Sequence, residues 1–96
     1  MAKYAKKSNR IKKIYKKLGR EKAYGLADHT EVVIDERLKG KKHLEILLHE
    51  CLHYLYPKAS EKEVVEKSIR LTKTLWHEGY RRIDNNEQTP LQDGTL

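Results

Sequence analysis

The stretch His43-Leu44-Glu45-Ile46-Leu47-Leu48-His49-Glu50-Cys51-Leu52-His53-Tyr54-Leu55-Tyr56 decides how this chain is read. It contains no Gly or Pro and carries five Leu, so it predicts a helix over residues 42–56, which Pro57 stops. After Lys58-Ala59 comes Ser60-Glu61-Lys62-Glu63. A serine followed three residues later by glutamate is a capping box, and it predicts a second helix from Glu61 to about Glu78 with Gly79 as its C-terminal cap.

Working back toward the N-terminus, Glu31-Val32-Val33-Ile34-Asp35-Glu36-Arg37-Leu38 is the best strand candidate. Val32 and Ile34 fall on one side of it. Asp28-His29-Thr30 is a polar turn, so a hairpin between about 22–27 and 31–37 is expected, and Gly40 breaks the chain before the helix. Ile11, Ile14, Tyr15 and Leu18 have helical spacing, but residues 10–18 also suit a short basic strand paired with a later segment of the chain. The expected class is α+β: a short antiparallel sheet or hairpin, then a helix carrying the chemistry, then a second C-terminal helix. The expected organisation is a flexible basic N-terminus (1–9), a single domain (10–83) and a flexible polar tail (84–96).

Composition narrows the possibilities. The chain has 96 residues, is 38% hydrophobic and 36% charged, and has no Phe. Its core must be thin, and its length excludes a dinucleotide-binding doubly wound fold or an eight-stranded α/β barrel. A bound metal would be a useful staple in so small a domain. No run approaches the ~20 apolar residues that cross a bilayer. The basic N-terminus lacks an apolar segment after it, and Cys51 has no second cysteine to pair with, so a cytoplasmic location is expected. The net charge of +7 is concentrated: residues 1–22 carry ten Lys/Arg against Glu21 alone, a net +9.

The chemistry lies in His49-Glu50-Cys51-Leu52-His53, an H-E-x-x-H sequence. His49 and His53 are one turn apart, about 40° on the helical wheel, so one metal ion can bridge them. Glu50 sits about 100° from His49, at the flank of that face, where it can accept a proton from a water that the metal activates. Leu44, Leu47, Leu48, Cys51, Tyr54 and Leu55 form an apolar stripe centred about 200° from His49, so the helix is expected to pack that stripe inward and turn both imidazoles toward a cleft. A catalytic zinc takes three protein ligands and keeps an open position. No Gly or His follows His53 closely, so a carboxylate from the next helix is the natural candidate for the third ligand, and Glu61, Glu63 and Glu66 compete. The second helix is expected to bury Val64, Val65, Ile69, Leu71, Leu75 and Trp76. Glu61 falls near the centre of that face, and a carboxylate aimed there needs a metal or partner. Glu63 is engaged in capping and Glu66 lies off the face, so Glu61 is chosen.

With these residues in place, Glu31 to Arg82 resembles the zincin metallopeptidases of gluzincin type. It is similar in particular to small single-domain H-E-x-x-H proteins of bacteriophages and mobile elements. The resemblance rests on the strand Thr30 to Asp35, the segment Leu47 to His53, the start Ser60 to Val64, and the ending Leu75-Trp76 to Gly79-Tyr80-Arg81-Arg82. It implies a zinc-dependent peptidase with His49, His53 and Glu61 as zinc ligands and Glu50 as the catalytic base. It also implies an edge strand from the 22–37 region that holds an extended peptide or protein substrate.

Other residues are read more plainly. Cys51 is expected to be a buried core residue, not a ligand. Tyr54, Tyr56 and Tyr80 could donate to an oxyanion, but each is first a packing residue. His43 and His77 are expected at the surface, His29 in a turn, and Trp76 in the core. The basic N-terminal segment supports an alternative function, a nucleic-acid-associated binding protein whose zinc site is structural or vestigial. No membrane partner is expected.

Overall fold

A computed structural model describes residues 9–19 and 24–83. The basic lead up to residue 8 and the tail from residue 84 lie outside the described residues, as do residues 20–23. Three strands, β1 (Lys13–Lys16), β2 (Gly25–Ala27) and β3 (Val32–Asp35), precede two helices, α1 (Gly40–Leu55) and α2 (Glu61–Glu78). The class is α+β. Among the described residues no helix is long and apolar enough to cross a membrane.

The strand order is β1-β3-β2, so β3 is central. Its sequence suits that place, because Val32 and Ile34 are 0% exposed and occupy the alternating inner positions. Burying such side chains contributes about 1.5–3 kcal/mol each. The expected hairpin forms, with β2 antiparallel to β3 and Gly25 opposite Ile34. Asp28 closes its turn by accepting hydrogen bonds from the Thr30 and Glu31 amides and the Thr30 hydroxyl at 2.8–3.0 Å. These bonds lower the Asp28 pKa, Thr30 contributing most. Residues 13–16 form a strand, not a helix, and pair in parallel with β3. Strands β1 and β2 therefore lie on opposite sides of β3.

Asp35 ties β1 to β3. Its buried carboxylate accepts the Leu18 amide, the Arg37 amide and two guanidinium N–H groups of Arg37, the closest at 2.7 Å. Arg37 above all, then the amides, hold its pKa well below the ordinary carboxylate range. A carboxylate with a depressed folded pKa stabilises the fold above its unfolded pKa of about 4, and that stabilisation is lost as pH falls through the folded value. Asp35→Asn is therefore expected to lower the urea midpoint at pH 7, with the gap to wild type narrowing steadily below about pH 4. A gap of constant size across that range would remove the ion pair from the account.

Helix α2 starts as its capping box dictates: the Ser60 hydroxyl accepts from the Glu63 amide and the Glu63 carboxylate accepts from the Ser60 amide. It ends at Gly79 in the left-handed region, φ 99°, which favours glycine. The buried faces differ from the wheel expectation. In α2 the buried residues are Val64, Ser68 and Thr72, whereas Ile69 and Leu71 are exposed and Val65, Leu75 and Trp76 half-buried. Spacing of four places the small side chains along the seam with α1, where they allow the helices to approach closely. In α1 the Leu stripe is half-buried and Leu55 exposed, while the buried residues are His43 and Glu50. This helix is packed on both sides, against α2 and against β2 and β3. Its polar edge is therefore also covered.

Candidate functional site

The sheet-facing edge of α1 carries His43, Ile46 and Glu50. His43, expected at the surface, is 5% exposed. It shares a 2.9 Å hydrogen bond with the Tyr15 hydroxyl of β1, and the two rings stack. Burial lowers its pKa, with Arg82 adding to the effect.

Glu50 lies two turns further along and is 7% exposed. Strand β2 runs directly over it. A Cβ at Gly25 would sit 2.7 Å from Glu50 Cγ and 2.9 Å from both Glu50 Oε2 and Ile46 Cγ2. Real Cβ atoms do not approach so closely, so a glycine here lets the backbone roof the carboxylate. Burial raises the Glu50 pKa; His53 opposes this and Glu61 adds to it. No hydrogen bond engages its carboxyl among the described residues.

His49 and His53 project from the adjoining face, their rings 4.9 Å apart and edge-to-face. Glu61, the first residue of α2, reaches back to both. Its Oε1 lies 2.7 Å from His53 Nε2 and its Oε2 lies 3.2 Å from His49 Nε2. One ligand atom from each of the three falls within 4.8 Å of the others. Glu61 is reached by position and not by burial: its side chain is 68% exposed, so the expectation that it points at the core is overturned. The Pro57–Ser60 connection places the N-terminus of α2 beside the C-terminal half of α1, and the first-turn residue faces the imidazoles. Glu63 is engaged in capping, and Glu66 is exposed and outside the group. Burial lowers the His49 pKa despite the opposing Glu61 charge, which favours the neutral imidazole that a metal requires.

These groups line an open cleft of about 830 Å³, walled by β2, the Asp28-His29 turn, Tyr54 and Pro57. A groove of about 980 Å³ elsewhere on the helix pair is mainly apolar, lined by Leu52, Leu55, Val64 and Leu71, and does not include the histidines. Of the three tyrosines weighed as oxyanion donors, Tyr54 lines the cleft, while Tyr56 and Tyr80 are exposed and outside its lining. His29 does line it. Neither Gly25 nor His29 is signalled by the sequence, since both act through a hairpin that folds back over a helix some twenty residues later. Cys51 is half-buried and free, with its pKa raised first by burial. Trp76 is half-buried, and the Arg81 guanidinium covers its ring at 3.5 Å.

Comparison with protein families, curated proteins and solved structures finds no match to this chain.

Proposed function

We propose that the protein is a zinc metallopeptidase of the gluzincin kind. His49, His53 and Glu61 would hold the metal. The supporting observation is the convergence of these three ligand atoms within 4.8 Å beside a buried glutamate. The donor set fits zinc, whose tetrahedral sites take His nitrogen and carboxylate oxygen at about 2.0–2.2 Å and so space their donors about 3–3.5 Å apart. The two Glu61 contacts, 2.7 and 3.2 Å and made through different oxygens, are near that spacing, while the group as a whole spans up to 4.8 Å and would draw together around an ion. When bound, zinc supplies a Lewis acid for a carbonyl oxygen and lowers the pKa of a water.

The chain's own groups account for the rest. Glu50, sheltered under β2, takes a proton from the water and passes it to the leaving amine. Its raised pKa suits both halves of that exchange. Strand β2 is an edge of the sheet, so an extended peptide can pair along it and cross the cleft. His29 and Tyr54 line the cleft and offer side-chain donors for a developing oxyanion. The test is hydrolysis of an unstructured peptide by zinc-loaded protein, compared with Glu50→Gln.

Gly25 is a positioning residue in this scheme. Gly25→Ala is expected to push Glu50 out of place, lowering turnover about 10²-fold, the cost of a displacement near 1 Å. Zinc content should be unchanged. Restoration of turnover by the second substitution Glu50→Asp, whose shorter side chain makes room for the new methyl, would separate this cause from a general loss of structure.

A further inference from the structure

Three distant segments meet at the opposite end of α1 from the metal-binding group. Arg82 lies over the Tyr15 ring of β1 at 5.1 Å, and Tyr15 bonds His43 near the start of α1. Gly40, His43, Trp76, Tyr80, Arg81 and Arg82 surround a small recess of about 220 Å³. Its surroundings are cationic. Lys41 follows Gly40 and is exposed, as are Arg81 and Arg82, and Lys39 precedes it. The first turn of α1 carries no acid and Asp35, at the end of β3, is engaged by Arg37; the exposed acids nearby in the chain are Glu36 and Glu78, against the four cations Lys39, Lys41, Arg81 and Arg82.

We infer that this corner binds single-stranded nucleic acid, with phosphates on Lys39, Lys41, Arg81 and Arg82 and a base stacked on Tyr80. Arg81 is held in place before any ligand arrives: its Nη1 donates to the Trp76 and Tyr80 carbonyl oxygens at 2.9 Å while its guanidinium covers Trp76. Tyr80 is 65% exposed between Gly79 and that arginine, so its ring is available to a base. A fixed cation beside an exposed aromatic ring is the arrangement that single strands use, with backbone charge neutralised and bases stacked without sequence preference. A lipid surface would instead need an apolar face beside the cations. Ile83, 73% exposed, follows Arg82, but one isoleucine is not a face: the exposed apolar residues of α2, Ile69 and Leu71, lie about 13 Å or more along the helix from Tyr80. The corner is also independent of the peptidase reading. His49 and His53 lie about 9 and 15 Å along α1 from His43, so a bound strand leaves the cleft open.

The experiment measures fluorescence anisotropy of a labelled thymidine strand of about 20 nucleotides, long enough to exceed one site, and of a duplex of equal length, with the full chain over a range of salt. Binding that weakens as salt rises is expected. Substituting Lys39, Lys41 and Arg82 together by Gln should weaken single-strand binding at least tenfold and reduce the log–log salt slope by about 2, at about 0.7 per phosphate contact. Tyr80→Leu should weaken the single strand about 5- to 150-fold, the range for one stacked base, and leave the duplex unchanged. The inference is overturned if the wild type ignores the strand at low salt. It is equally overturned if both variants bind as the wild type does, which would place binding on residues 1–22 alone, or if vesicles containing phosphatidylserine are bound and the strand is not. If circular dichroism shows the triple variant unfolded, Tyr80→Leu alone decides, and unchanged single-strand binding then refutes the assignment.

Discussion

Glu50→Gln is expected to lower peptide hydrolysis by about 10²–10⁴-fold, the usual worth of a positioned general base, with bound zinc unchanged. The substitution keeps the shape of the side chain under Gly25, so the roof formed by β2 stays in place. It removes only the capacity to accept and return a proton. Glu50 is not in the group formed by His49, His53 and Glu61, so metal content should not respond. Turnover and zinc content measured on the same sample separate the two roles. Equal turnover in the two proteins would end the peptidase proposal, whatever the metal content.

The second large effect concerns stability. Zinc present at about a thousand times its Kd should stabilise the wild type by about 4 kcal/mol. For a domain of this size that is a rise in Tm of roughly 15–30 °C, from about 4–8 °C per kcal/mol. His53→Ala should abolish the rise, and a chelator should bring the wild type down to the variant's level. Without zinc the two should differ little, because the His53–Glu61 contact is at the surface and such pairs contribute about 0–1 kcal/mol. That contrast distinguishes a metal site from an ordinary ion pair. A variant that lost as much stability without zinc as with it would make His53 an ordinary structural residue, and a wild type indifferent to zinc would remove the metal altogether.

The candidate site is legible in the sequence where its logic is local. Ser60 and Glu63 cap α2 because a hydroxyl and a carboxylate three residues apart satisfy the first free amides of a helix. His49 and His53 share a face because four residues advance a helix by little more than one turn. Glu61 joins the two histidines, but for a reason the wheel does not supply. The wheel places it toward the core, whereas it is exposed and reaches the imidazoles from the first turn of α2. Wheels assume that each helix has one buried side. In a chain this short, α1 is covered on two sides, so the Leu stripe is only half-buried and His43 and Glu50 are the enclosed residues.

Periodicity and punctuation are therefore enough to establish the two helices, the central strand, its hairpin and the facing pair of histidines, since each depends on neighbours within a turn or two of the chain. Tertiary packing alone decides that β1 runs parallel to β3, that Tyr15 meets His43, that His29 overhangs the cleft and that Gly25 roofs Glu50. Those contacts join segments some twenty or more residues apart, where pairing is selected by which surfaces can be buried together and no local spacing rule applies.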